Sequence, residues 1–368
     1  MRVLQVDSGR EWRGGQNQVR LLCRELAAEQ DVTQRLITRR GSELARRVRD
    51  AGSHRPGLAV TEVGWWIGLD PRAYRQLVFY ILTAHPDIVH AHDSHALTLS
   101  VLAIRTAERW RRRVLFRKVA PDFETPCIVA TRRVDFHIGR WSAWRSVDRI
   151  IAISDAVKRV LAADGISSHA VTVVPSGIDP DEVRRAARLP LNVRARLGLE
   201  PGTPVAGNVA ALVDHKDQRT LIQAAHHARA LRPDLHWVIA GEGKLRGSLA
   251  GEIARLELTD RVHLLGYVEE ADALIREADV FVMSSKEEGL GSVILHALAL
   301  EKPVVATAGG GIPEILPPEA LVPVGDAKTL ASKVVDALSH PTSRTPLPAQ
   351  FTASAMAQGV LAVYRSLL

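Results

Sequence analysis

Cysteine is nearly absent from this chain, with Cys23 and Cys127 the only two in 368 residues. They make no metal-ligand spacing and no disulfide framework, which fits a reducing compartment. Cys23 lies on the apolar side of a helical stretch with Leu21, Leu22 and Leu26, where a core residue belongs. Long apolar runs are missing as well. No stretch reaches the roughly 18 residues that a membrane span requires. Met1-Arg2 leads straight into Val3-Leu4-Gln5-Val6, without the apolar segment of a secretory leader. A cytoplasmic protein is expected, peripheral on the inner membrane face at most. The G-x-G-x-x-G of dinucleotide-binding turns is missing from the first strand-to-helix turn, which weighs against a dehydrogenase.

What is present points to two folded domains. The length exceeds one typical domain, the 46% hydrophobic content suffices for two cores, and 24% charged residues excludes a disordered chain. The net charge is +7, carried mostly by arginine. That balance suits an anionic partner: a nucleoside diphosphate, a phosphorylated glycolipid, an anionic membrane surface or nucleic acid.

Short β runs alternate with helical stretches in both halves, the pattern of parallel sheets with helices on both faces. The first strand ends in Asp7-Ser8-Gly9. The loop that follows carries Arg13, Gly14, Gly15 and Gln16 before a helix marked by Val19, Leu22 and Leu26. Two glycines at such a turn let a ligand approach the backbone. Asp87 to Asp93 reads as the fourth strand, with Ile88, His90 and His92 on one side. His92 falls at its carboxyl end, where open parallel sheets bind ligands. No further spacing completes a metal site around the two histidines. Trp65-Trp66-Ile67, before a helix starting near Pro71, suits packing or an acceptor or membrane contact. The basic runs at Arg109 to Arg113, Arg132-Arg133 and Arg140 to Arg149 read as solvated faces able to hold an anionic surface.

In the second half a single helix is expected from Asp181 to Leu197, then strands at Val205 to Val209 and Trp237 to Ala240, and the turn Gly241-Glu242-Gly243. A Pro341 to Pro348 linker leads to a last helix, about Ala353 to Leu367. The densest stretch runs from Ser284 to Leu316. It reads as a strand end, an acidic loop with Glu288, Gly289, Leu290 and Gly291, a helix from Ser292, the strand Pro303 to Ala306, and a second loop at Gly309-Gly310-Gly311. Two glycine loops thus follow neighbouring strand ends, and helix N-termini after such loops offer N–H groups to phosphate.

This stretch resembles the carboxyl-domain signature of retaining glycosyltransferase family 4, also called glycosyl transferases group 1. It matches at Glu288 to Gly291, Pro303 to Thr307 and Gly310 to Glu314, and Pro175 to Asp179 is similar to the family's inter-domain segment. The resemblance implies a GT-B fold: two Rossmann-like domains facing a cleft, at 1–180 and 181–345, with a C-terminal helix, 346–368, crossing back to the first. It implies transfer of a sugar from a nucleotide-sugar donor to a glycan or glycolipid acceptor in cell-envelope polysaccharide or lipopolysaccharide synthesis. No metal, no cofactor and no nucleic-acid partner are implied.

Catalytic roles are carried over to Glu288, His92 and Lys216, and donor binding to Gly15, Gly289, Leu290, Gly291, His296 and Gly241. Arg13, Gly14 and Gln16 form the acceptor or phosphate loop. Two positions depart from the pattern. His296 stands where the family has an acid for the nucleotide ribose, and Ala211 stands where it has a phosphate-binding arginine. A neutral histidine offers one acceptor nitrogen where a carboxylate bonds both hydroxyls. Donor binding weaker by about one hydrogen bond, roughly 1 kcal/mol, is expected, and His296→Glu is expected to tighten it. These departures motivate one alternative, a non-catalytic nucleotide-sugar-binding protein, and a GT-B-fold nucleotide-sugar epimerase is the other.

Overall fold

The computed structural model describes residues 1–50, 57–111, 124–140, 142–340 and 345–368. Arg112 and Arg113 of the first basic run, Trp141 within the third, and the first part of the Pro341 to Pro348 linker lie outside these residues. The chain divides into two compact units, Met1–Gly177 with Ala353–Leu368, and Ile178–Thr352.

The first unit is built on strands β1 (Arg2–Asp7), β2 (Thr33–Arg39), β3 (Leu58–Val63), β4 (Ile88–Ala91), β5 (Cys127–Arg132), β6 (Arg149–Ala152) and β7 (Val171–Val173). They lie in the order β3-β2-β1-β4-β5-β6-β7, every pair parallel. All four residues of β4 are buried, as a strand covered on both faces must be. Chain order reverses between β1 and β4, the switch point where open α/β sheets bind their ligands.

The helix Ala353–Arg365 belongs to this unit although 175 residues of the second unit precede it. Its apolar face places Met356, Val360 and Tyr364 in one cluster with Val3, Leu22 and Ile88. Tyr364 is fully buried, so its hydroxyl must be satisfied internally. Gln5 Nε2 donates to it at 3.3 Å, and the hydroxyl donates to His90 Nδ1 at 2.6 Å. His90 Nε2 then donates to Thr131 Oγ1 at 2.7 Å. Burial first, and the Arg133 charge second, hold the His90 ring well below its usual pKa and therefore neutral. His90 is a structural hydrogen-bonder.

The second unit contains β8 (Val205–Val209), β9 (His236–Ala240), β10 (Val262–Gly266), β11 (Val280–Met283), β12 (Val304–Thr307) and β13 (Leu321–Val322). Their order is β10-β9-β8-β11-β12-β13, again all parallel, with the reversal between β8 and β11. Trp237, Ile239, Leu221, Val282 and Leu330 anchor its core. The single helix expected from Asp181 to Leu197 is two, Pro180–Ala186 and Val193–Arg196. Pro190 interrupts it, because a proline lacks the N–H and disfavours helical backbone just before it.

Removing only the Tyr364 hydroxyl leaves the Gln5 amide and the His90 ring unsatisfied in a dry interior. Tyr364→Phe is therefore expected to lower the unfolding free energy by about 1–3 kcal/mol, as loss of buried hydrogen bonds does. Urea unfolding of the two proteins checks this. An unchanged midpoint contradicts the network.

Candidate functional site

Both switch points carry the residues singled out by sequence. In the second unit, β8 ends at Val209 and the chain turns through Asp214–Lys216 before the helix Gln218–Leu231. That turn is tied to the end of β11 from several sides. Ser284 Oγ donates to the Lys216 carbonyl at 3.1 Å and the Lys286 amide to His215 O at 2.8 Å, while β8 itself is tied to β11 by Asn208 Nδ2 donating to Val282 O at 2.8 Å. Lys216 Nζ consequently meets Glu288 Oε2 in an ion pair whose side chains are only 17% and 13% exposed.

The second glycine loop fixes the carboxylate from the other side. The Gly311 amide donates to Glu288 O at 2.8 Å. A Cβ on Gly310 would stand 2.0 Å from the same carbonyl oxygen, and Gly310 has φ +56°, so only glycine lets the two loops meet. Thr307 Oγ1 donates to Ser285 O at 2.6 Å and closes the contact. Leu290 is buried, and the helix Ser292–Ala299 starts from Gly291 at φ +89°. Gly241 ends β9 with its amide donated to Gly266 O at 2.7 Å, so that N–H is already committed.

His296, on that same helix, has an acid beside it after all. Its Nδ1 lies 2.7 Å from Asp272 Oδ1, contributed by the helix Ala271–Glu277. The carboxylate fixes the proton on Nδ1 and leaves Nε2 as the acceptor. Sequence reading missed Asp272 because it lies 24 positions away on another helix.

In the first unit, β1 and β4 end at Asp7 and Ala91, side by side. His92 stands just beyond β4, on the same side as His90, with ring centroids 4.1 Å apart. Arg133 donates to His92 O at 2.9 Å and to Nδ1 at 3.2 Å, so the ring proton sits on Nε2 and goes to Gln5 Oε1 at 2.8 Å. His92 is buried, and that burial, with His90 and Arg133 adding, keeps its pKa well below the usual value. The ring is a neutral, fully engaged group.

The loop toward the helix Gly14–Leu26 is held by Asp7. Gln16 Nε2 lies 3.3 Å from Asp7 Oδ2, and the Gly9 amide 2.9 Å from Oδ1. A side chain on Gly9 would strike Gln16 Nε2 at 2.3 Å, so Gly9 keeps this contact open, whereas a Cβ on Gly15 would meet only Arg133 Cδ at 3.7 Å. Gly14 and Gly15 form the helix start with exposed Arg13 as its cap residue, and Arg13 pairs with Glu11 at 2.5 Å. Burial above all, then the neighbouring Asp93 charge, push Asp7 up to about 6, while burial lowers Arg133 to about 10. Arg132 and Arg133 are thus no solvated face. Arg132 is buried, lies over the Trp144 ring at 5.1 Å and donates to Phe136 O.

Comparison with known proteins identifies the family. The family model "Glycosyltransferase Family 4" matches residues 12–182, and "Glycosyl transferases group 1" matches residues 192–356. The chain belongs to this glycosyltransferase family. It is 29% identical to the 2-deoxystreptamine glucosyltransferase of Streptomyces kanamyceticus, over 55% of this chain and 54% of that protein. A GDP-mannose-dependent monoacylated phosphatidylinositol monomannoside mannosyltransferase of Corynebacterium glutamicum is 32% identical over 48% of this chain and 49% of that protein. These matches span about half the length of those curated relatives. Anabaena HepE, solved with UDP and glucose, shares the fold at TM-score 0.77 and 18% identity, each chain covered completely. The two parallel-sheet units have the GT-B fold.

Of the residues expected to act, Glu288 and Lys216 are brought into contact, and Gly289, Leu290 and Gly291 lie in the same loop. Gly14, Gly15 and Gln16 are gathered at the other switch point with His92, joined there by Asp7, Gly9 and Arg133, which the sequence had not marked as site residues.

The state of Asp7 has a measurable consequence. Its folded pKa of about 6 exceeds its ordinary 3.8. The stability it contributes is therefore complete below about 3.8 and lost as pH rises through 6. Asp7→Asn removes that slope, and the variant should gain on the wild type by at most roughly 3 kcal/mol between pH 4 and pH 8. Thermal melts across this range test it, and parallel pH profiles would refute a raised Asp7 pKa.

Proposed function

We propose that this glycosyltransferase moves a sugar from a nucleotide-sugar donor to a glycan or glycolipid acceptor, with retention of anomeric configuration and without a metal ion. The reading rests above all on the Lys216–Glu288 pair, set between two glycine loops at the switch point of the second sheet.

Sugar transfer from a nucleoside diphosphate builds negative charge on the departing phosphate and positive charge on the sugar ring. Lys216 supplies a fixed cation for the first. Its ammonium has three donors, so it can bond the diphosphate while keeping Glu288. Glu288 accepts hydrogen bonds from donor-sugar hydroxyls, and its clamped backbone means that little reorganisation is needed on binding. His296, oriented by Asp272, offers Nε2 to a ribose hydroxyl. His92 offers the sugar only the edge of a neutral ring, because Arg133 and Gln5 hold both of its nitrogens. The leaving phosphate takes the acceptor proton.

The relative named for a phosphatidylinositol monomannoside supports a glycolipid acceptor. The basic charge supports a lipid-linked acceptor of the cell envelope, met at the cytoplasmic face of the membrane. No helix among the described residues is long and apolar enough to cross a membrane.

A thermal-shift panel of nucleoside diphosphates identifies the donor base, because a ligand bound only by the native state raises its stability. With that donor, Glu288→Gln should lower turnover by about two orders of magnitude, the scale for one preorganised transition-state contact. Unchanged turnover would contradict the assignment.

Asp272 also alters the expectation for His296→Glu. Alone, the substitution sets two carboxylates together and should weaken donor binding. Combined with Asp272→Asn it should tighten binding relative to the single variant by about tenfold, one charge-assisted bond's worth. Titration calorimetry of the three proteins distinguishes these outcomes.

A further inference from the structure

A second built feature lies on the same edge of the first sheet, at the carboxyl ends of β2 and β3. A cavity of about 840 Å³ is lined there by Arg39, Arg40, Arg72 and Arg75, with Tyr80 and Trp66 beside them. None of the four guanidinium groups has a hydrogen bond or ion pair to the described residues. Elsewhere on this face arginines are matched: Arg46 and Arg47 pair with Glu43, Arg49 pairs with Glu62, and Arg35 lies over the Tyr80 ring and donates to Thr61.

The acids near the cavity are already occupied. Glu62, which lines it, holds Arg49 and accepts from the Gly41 amide at 2.6 Å. Asp70, whose field reaches Arg72, accepts from the amides of Trp66 and Arg72, each at 2.8 Å. Four guanidinium groups outnumber these two carboxylates, so the cavity carries an excess of positive charge that favours an anion. Planar guanidinium forks match phosphoryl oxygens bidentately.

The rim is of the opposite character. Trp66, which lines the cavity, is 72% exposed, and Ile67 and Leu69, which follow Trp66 in the chain, are 64% and 53% exposed. Trp65, by contrast, is buried and donates to Gly68 O, so the tryptophan pair divides between packing and surface. An indole beside aliphatic side chains at the mouth of a cationic cavity suits the boundary between lipid headgroups and acyl chains.

We propose that this cavity is an acceptor subsite that receives a phosphoryl group, with Trp66, Ile67 and Leu69 against the apolar part of the molecule that carries it. The phosphoryl site itself stands on the cavity, and its assignment to the acceptor rests on the transferase reading.

The test compares wild type with Arg39→Gln/Arg75→Gln and with Trp66→Ala. The probes are inorganic phosphate by calorimetry, and phosphatidylcholine vesicles with and without phosphatidylglycerol by co-sedimentation. The double arginine variant removes two charge-assisted contacts and should lose phosphoryl affinity by about tenfold or more. Lipid as the source predicts binding to phosphatidylglycerol vesicles that falls in both variants. A soluble phosphorylated acceptor predicts phosphate binding that falls only in the arginine variant, with no vesicle binding. Equal binding of both probes by wild type and the arginine variant overturns the site. Affinity for the nucleoside diphosphate, measured on the same samples, reports the donor site separately. Loss of phosphoryl binding with no nucleotide bound by any protein would leave the cavity and remove the transferase reading.

Discussion

The contact between two backbone loops, at Glu288 and Gly310, is the constraint on which the second unit's chemistry depends. A carboxylate and an ammonium shielded from water are costly unless each is held against the other, and losing one partner of such a pair costs about 3–5 kcal/mol. Here the holding is done by main chain. One glycine loop lies flat on the carbonyl of the acid, and a short turn is tied to the end of the neighbouring strand. Side-chain geometry that would otherwise be paid for in rotamer entropy is set by the packing of β8, β11 and β12.

Much of this was legible in the chain because it is local. Alternating apolar runs and turns specify parallel sheets, and the glycine-rich segment from Ser284 to Leu316 specifies the loops around Glu288. Lys216 was marked by the family resemblance, since a lone lysine at a helix start reads as surface charge. What the sequence did not disclose are partners brought in from afar. Asp272 reaches His296 from another helix, Arg133 reaches His92 from β5's far end, and Tyr364 reaches His90 across 274 positions. No periodicity within a window carries such pairings. A run of arginines likewise cannot tell a solvated face from a stacked Arg132 or an unmatched Arg39.

The departure at His296 is accompanied by a carboxylate brought in from another helix. An acid is still present, one shell further out, and the imidazole transmits its orientation. On the proposed reading, donor recognition draws on two helices, Ser292–Ala299 and Ala271–Glu277. The two must hold their spacing to within a hydrogen bond for the ring to keep its tautomer.

The Tyr364 hydroxyl also bears on how the protein is made. The first unit is assembled from residues 1–177 and 353–368, so an emerging chain must synthesise the whole second unit before the last helix can dock. Until then Gln5 and His90 lack their shared partner, and the cluster around Val3, Leu22 and Ile88 lacks its cover. Gln5 is the residue that holds His92 by its ring. A chain that has not yet reached Ala353 therefore carries an unfinished first unit, in which the residue that holds His92 still lacks one of its own partners.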